Sequence, residues 1–192
     1  MEENSNIDPI KGDGGLIIRS ALEADASTIK AVERACGLSE WRESAYKTIA
    51  GNDSGILLIA AFPSGIAGFC HTRLITKPKQ PPFEKMTFLD PKTNRQEPKD
   101  SFETVQAELC NLGILKVFRR NGAGTGLLRE TIRRLAEFSS FSLFLEVRRS
   151  NSTAIGFYDG FGFKKSGIRP GYYRKPREDA MVMEFRRWNQ RF

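Results

Sequence analysis

The sequence is poor in the residues that build disulfide scaffolds, metal centres and histidine triads. Its cysteines, Cys36, Cys70 and Cys110, are odd in number, far apart and form no C-x-x-C pair. That pattern excludes a disulfide framework and structural zinc, and points to a reducing cytoplasm. Histidine is scarcer still: His71 is the single one, which argues against a His-based triad or metal site and leaves His71 as an ordinary strand residue. No apolar run approaches the ~20 residues of a membrane helix, and the opening Met1-Glu2-Glu3-Asn4 is acidic and polar, unlike a signal peptide. Neither a membrane partner nor a metal is expected. Aromatic and basic residues are not interleaved, which argues against dedicated single-strand nucleic-acid binding, so nucleic acid is not expected as substrate.

What is present is a chain of 192 residues, 40% hydrophobic and 28% charged, enough for one domain with a full core. Charge is unevenly placed. Residues 1–106 hold 13 Lys and Arg against 15 Asp and Glu, whereas residues 107–192 hold 17 against 8. The basic half contains the most informative stretch, Arg119-Arg120-Asn121-Gly122-Ala123-Gly124-Thr125-Gly126. It follows the apolar run Ala107 to Ile114 and precedes a helix in which Leu127, Leu128, Thr131, Ile132 and Leu135 share one face. A glycine-rich turn between strand and helix suits a phosphate: glycine lets the backbone approach, successive N–H groups point at the anion, and the helix dipole favours its charge. A Walker A loop is excluded because no Gly-Lys-Ser/Thr follows, and a dinucleotide fold is disfavoured because no run of parallel strand–helix units surrounds the turn.

The remaining pattern predicts a disordered tail over 1–14 and a single domain over 15–192. Leu16 to Ser20 reads as a strand, and Ala24 to Cys36 and Trp41 to Ala50 as helices. Gly55 to Phe62 and Ile66 to Ile75 read as strands joined by Pro63-Ser64-Gly65. Residues 77–105 hold five prolines and many charges and read as an inserted loop, with a short hairpin around Met86 to Arg95. Leu143 to Val147 is the next strand, Asn151 caps a helix ending near Gly160, and Phe163 to Ile168 and Ala180 to Phe185 are the last strands, with Arg169 to Asp179 between them.

That element order, with the motif R-R-N-G-A-G at Arg119 to Gly124, L-E-V-R-R-S-N at Leu145 to Asn151, A-I-G-F-Y at Ala154 to Tyr158 and Gly162-Phe163, resembles the GNAT acetyltransferase family. The tail R-P-G-Y-Y at Arg169 to Tyr173, with E-D-A-M-V-M at Glu178 to Met183, narrows the resemblance to RimI-type N-terminal alanine acetyltransferases, which modify a ribosomal protein. The resemblance implies an α/β domain of the α+β kind, a mixed, mostly antiparallel central sheet of about seven strands flanked by about four helices. It implies acetyl-CoA as co-substrate and a protein N-terminus, of a ribosomal protein in the RimI case, as acceptor. Two departures stand out. Leu115-Lys116 occupies a place where the family often has Asp-Pro, and the 77–105 insertion is not a RimI feature.

Roles follow for particular residues. Backbone from Arg120 through Asn121, Gly122, Ala123, Gly124 and Thr125 is expected to hold the pyrophosphate, with Arg119 and Arg120 adding charge. By resemblance, Leu112, Gly113 and Ile114 lie beside the pantetheine arm, Asn151 contacts the cofactor, and Trp41, Tyr172 and Tyr173 line a peptide groove. An α-amine of pKa ~8 arrives mostly protonated, so a base is needed. Glu146, a carboxylate set into an apolar strand, is the candidate and matches the family's base; the plainer reading is a solvated Glu paired with Arg148. Tyr158 matches the family's general acid; the plainer reading is helix packing among Phe157, Phe161 and Phe163. Cys110 has no histidine base near it in sequence and is not expected to be a nucleophile. The competing functions are a GNAT enzyme acting on a lysine side chain or small-molecule amine, and a non-catalytic CoA- or RNA-binding protein.

Overall fold

The computed structural model describes residues 10–11, 13–52, 55–75, 105–138 and 140–188. Among these lie eight strands: β1 (Ile10–Lys11), β2 (Ile17–Ser20), β3 (Gly55–Phe62), β4 (Gly65–Ile75), β5 (Val105–Ile114), β6 (Ser140–Arg148), β7 (Lys164–Arg174) and β8 (Arg177–Trp188). The α-helices are α1 (Ala26–Ala35), α2 (Glu43–Ala50), α3 (Ala123–Leu135) and α4 (Ser152–Gly160). The chain forms two compact units, Met1–Leu74 with Cys110–Leu135, and Ile75–Leu109 with Ala136–Phe192, so β5 contributes its second half to one and its first half to the other.

In the first unit β1, β2, β3, β4 and β5 follow one another in that order, and β1 to β4 pair antiparallel. The β3–β4 hairpin forms where expected, with Gly65 at φ 129° closing the Pro63-Ser64 turn. Helix α1 starts after a 3-10 turn at Glu23–Asp25, where the Asp25 carboxylate accepts the Leu22 N–H at 2.7 Å and a forked contact from Arg19 at 2.6 and 2.9 Å. Its inward face carries Ile29 and Val32, which pack with Tyr46, Leu57, Ile59 and Phe69 in one apolar cluster. Helix α3 packs on β2 and β3. Gly126 makes this close fit possible, since a Cβ there would sit 3.0 Å from Ile18. At Gly68 the approach of β4 to β5 is tighter: a Cβ would overlap the Gly113 carbonyl oxygen and the Ile114 side chain.

In the second unit the order is β5, β6, β8, β7, with β5 and β6 parallel and the other pairs antiparallel. Period-two alternation buries Phe141, Leu143, Leu145 and Val147 on one face of β6 and leaves Phe144, Glu146 and Arg148 half-buried on the other. Asn151 caps α4 by accepting the Ala154 N–H at 3.1 Å, and Gly162 at φ 94° leads into buried Phe163.

The fold is the mixed, mostly antiparallel α/β arrangement expected, with eight strands in place of about seven. The added strand is β1, a two-residue pair with β2 inside the stretch expected to be disordered. Residues 169–179 also differ from expectation. Instead of a connection, β7 continues to Arg174 and β8 begins at Arg177, across a cis Lys175–Pro176 bond. Pro170 and Gly171 resemble strand breakers, but β7 is last in the strand order, where proline is tolerated. They are absorbed as a bulge between Arg169 and Tyr173, with Gly171 at φ 61° donating its N–H to Asp179 at 2.9 Å. The hairpin expected at 86–95, almost all of the 77–105 insertion, and residues 1–9 lie outside the described residues.

Candidate active site

In the first unit, the glycine-rich turn forms the entry to α3. Arg120 adopts φ 67° and Gly122 φ 80°, and the Gly126 N–H bonds back to the Gly122 carbonyl at 2.8 Å as the helix begins. A non-glycine residue held at positive φ costs about 1–3 kcal/mol and clusters at functional sites. Here Arg120 and Gly122, both at positive φ, flank Asn121 just ahead of a helix start, and the first N–H groups of any helix have no helical acceptor. Ala123 is buried, Gly124 and Thr125 are half-buried, and Arg119, Arg120, Asn121 and Gly122 are exposed. This is a suitable cradle for a diphosphate. Arg119 also donates through Nε to the Ile114 carbonyl at 3.0 Å, tying the turn to the end of β5. Along β5, Leu112 and Ile114 are half-buried, whereas Asn111 and Gly113 belong to the buried face.

Trp41 lies in the same unit, just ahead of α2. Its indole is half-buried and meets His71 edge-on, with ring centroids 4.7 Å apart. Its backbone N–H donates to Glu33 Oε1 at 3.0 Å, and its carbonyl accepts from Lys30. Glu33 is fully buried and also accepts from Tyr46 Oη at 2.6 Å and Asn111 Nδ2 at 3.2 Å. Burial first, and the bond to Glu33 second, raise the Tyr46 hydroxyl above its ordinary range. His71 is 1% exposed, its Nδ1 has no hydrogen-bond partner, and burial, reinforced by Arg73, lowers it to about 4.

The second unit holds the acid–base candidates. Glu146 projects from β6, its side chain 6% exposed, and Oε1 accepts from Arg169 Nη1 at 2.9 Å. Arg148, its partner in the plainer reading, binds Glu178 at 3.1 Å and the carbonyls of Lys175 and Pro176, and lies 4.1 Å from the centroid of the Tyr173 ring. Tyr173 donates its hydroxyl to the Glu146 carbonyl at 3.3 Å, and burial, with nearby Tyr172 and Glu146, pushes it up to about 12. Tyr172 is 39% exposed and carries Arg169 4.6 Å from its ring centroid. Glu178 also accepts the Ser150 N–H at 2.6 Å, the first cause of its lowered pKa, with the Arg148 pair adding to it. The β7–β8 hairpin is therefore fastened to the end of β6. Tyr158 is buried in α4, its ring 5.3 Å from Phe157 and 5.5 Å from Phe163.

Thus the turn and Leu112 to Ile114 come together in one unit, and Glu146, Tyr172 and Tyr173 in the other. Asn151 is engaged as a helix cap through Oδ1. Sequence reading missed Arg169 as the partner of Glu146, although it lies in a quoted motif. It also missed the Glu33–Tyr46–Asn111 network. Two signals were present: Glu33 sits at i+4 from Ile29 on the inward face of α1, and Asn111 is in phase with Ala107 and Leu109 on β5. Among the described residues no cluster of His, Cys, Asp and Glu is placed to hold a metal ion, and no helix is long and apolar enough to cross a membrane.

Residues 27–163 match the model of the Acetyltransferase (GNAT) family. The "[Ribosomal protein bS18]-alanine N-acetyltransferase" of Escherichia coli K12 is 39% identical over 80 residues, 41% of this chain and 54% of that protein. Its counterpart in Haemophilus influenzae is 42% identical over 81 residues, 41% of this chain and 55% of that protein. The chain thus spans about half the length of the curated relatives it matches. The crystal structure of the E. coli ribosomal-protein-S18-alanine N-acetyltransferase superposes with TM-score 0.63 at 25% identity, covering 89% of this chain and 93% of that one. Arabidopsis thaliana NAA60 in complex with acetyl-CoA gives TM-score 0.74 at 14% identity, over 89% and 98%, a likeness of fold.

Proposed function

The chain belongs to the GNAT acetyltransferase family, and from that premise we propose that it transfers acetyl directly from acetyl-CoA to a protein N-terminal amine. The favoured acceptor has a small first residue such as Ala and belongs to a ribosomal protein; the setting is cytoplasmic. The observation that carries this reading is the turn at 119–126, where Arg120 and Gly122 at positive φ and two arginines precede the start of α3. The acceptor class is supported by the names of the bacterial relatives, at 39% and 42% identity. The family match runs across residues of both compact units, which supports reading 15–192 as one catalytic domain.

Acetyl-CoA supplies a thioester, an acyl group already activated toward an amine. The chain's residues do the rest. Backbone N–H groups from Arg120 to Thr125 bind the pyrophosphate, with Arg119 and Arg120 adding positive charge, and Asn151 contributes a further contact. Leu112, Gly113 and Ile114 align the pantetheine arm, and their backbone polarises the carbonyl that develops negative charge. Glu146 removes the proton of the incoming ammonium, directly or through water, and Tyr158 supplies a proton to the leaving sulfur. Trp41, Tyr172 and Tyr173 contact the chain end that carries the amine. No acyl-enzyme forms, and Cys110 takes no part.

The test is a turnover screen with acetyl-CoA and short peptides differing only in the first residue, with acetylated-N-terminus lysine peptides and polyamines alongside. The expected ranking is Ala above Ser and Gly, with larger first residues slower. Equal or faster turnover of lysine side chains or polyamines would replace the proposal with a different acceptor class.

A further inference from the structure

The segment that carries Trp41 has no regular structure of its own, yet its backbone is held at three points by side chains from elsewhere. Asn111 Nδ2 donates to the Ser39 carbonyl at 3.2 Å. Glu33 accepts the Trp41 N–H at 3.0 Å, and Lys30 donates to the Trp41 carbonyl. These groups are themselves joined. Lys30 Nζ lies 2.7 Å from Glu33 and 3.2 Å from Glu40, and Glu33 gathers Tyr46 and Asn111. Burying a carboxylate strips it of water, and apolar residues often fill such a space equally well. A network of this kind differs from an apolar filling in what it specifies: it fixes backbone atoms, here those on either side of one half-buried tryptophan.

We propose that Glu33 and Lys30 are positioning residues that clamp the 39–41 backbone and thereby set the Trp41 indole as a wall for the acceptor. This rests on the reading of Trp41 as an acceptor contact. Lys30 reaches the segment from the surface edge of the network, so its replacement can loosen the clamp while the buried core stays in place. Glu33 acts from inside, through the Trp41 N–H.

The experiment uses the full chain with Trp188→Phe, which leaves Trp41 as the single tryptophan. Acrylamide quenching of Trp41 fluorescence is compared with and without Lys30→Met, and steady-state constants are measured with an Ala-first hexapeptide and acetyl-CoA. Lys30→Met should raise the quenching constant by about twofold or more and the peptide KM by about tenfold, the scale of one lost charge-assisted hydrogen bond. The acetyl-CoA KM and kcat should stay within about twofold, and Lys30→Arg should restore most of the peptide KM. In a Trp41→Ala background Lys30→Met should add less than about twofold, because it acts through that ring. Glu33→Gln should behave as Lys30→Met does; if it does not fold, Lys30→Met decides. Unchanged quenching overturns the clamp whatever the kinetics, and so does a full additional KM increase in the Trp41→Ala background. Raised quenching together with an unchanged peptide KM in Trp41→Ala supports the clamp and removes Trp41 from the acceptor wall instead, separating this inference from the function it rests on.

Discussion

In the proposed reaction Glu146 and Tyr158 carry the chemistry, and their surroundings differ in kind. Glu146 sits on the half-buried face of β6 against the Arg169 guanidinium at 2.9 Å. Tyr158 is buried, its ring packed against Phe157 and Phe163. Glu146→Gln should lower kcat/KM by about 10²-fold near neutral pH, the usual scale for one general base. The loss should shrink as pH rises past ~8, where the acceptor amine sheds its own proton. Tyr158→Phe should slow turnover by about 10²-fold while the acetyl-CoA dissociation constant, measured by calorimetry, stays the same. Wild-type rates in both variants would reduce the motif to packing. Cys110→Ala should keep most activity, and an acetyl-Cys110 species competent to transfer, detected by mass spectrometry, would contradict direct transfer.

At the scale of elements, the start of α3 and the buried strand β4 make separate commitments. Gly124 lies in the first turn of α3 beside the backbone assigned to the pyrophosphate. Gly124→Leu should abolish acetyl-CoA binding in calorimetry while the far-ultraviolet spectrum of the folded chain is kept; unchanged affinity would remove the turn from the cofactor site. On β4, His71 is lowered to about 4 by burial first and Arg73 second. Folded His71 is therefore neutral near pH 7. The unfolded chain takes up its proton near 6.5, so this group's contribution to stability is full above that value and is lost as pH falls from 6.5 toward 4. As the single histidine, it gives one imidazole resonance, whose midpoint should lie near 4; a midpoint near 6.5 would mean that the site is open to water. Much at this scale was legible in the sequence. The β3–β4 hairpin, α3 and α4 carry strong turn and cap signals at Pro63-Ser64-Gly65, Gly122 and Asn151, and fall within a residue or two of expectation. Residues 169–179 were misread because Pro170-Gly171 looks the same in a connection as in an edge-strand bulge, and only pairing with Glu178 to Ala180 tells them apart. Within the candidate site, the turn, Glu146 and Tyr158 were legible because each sits in a contiguous motif. Arg169 with Glu146, and Glu33 with Asn111, were not, because those partners are 23 and 78 residues apart and meet only on folding.

Across the whole molecule, charge and composition bear on where the enzyme works rather than on how it folds. The excess of basic residues falls in 107–192, the half that holds the phosphate turn, and would draw the chain toward anionic partners. If the acceptor is met on ribosomal particles, binding to them should weaken as salt rises from about 0.05 to 0.2 M, read by cosedimentation; salt-independent association would point to a contact made without these charges. The 77–105 segment holds five prolines and many charges, and its deletion should change the ranking of first residues more than it changes acetyl-CoA affinity. The central claim, acetyl transfer to a chain-end amine, is tested most directly by a competition within one molecule. A peptide with a free N-terminal alanine and an internal lysine is incubated with acetyl-CoA and the enzyme, and the product is mapped by fragmentation mass spectrometry. Acetyl on the α-amine of Ala with the lysine unmodified is the predicted result; acetyl on the lysine ε-amine, or no acetyl on either, would contradict it.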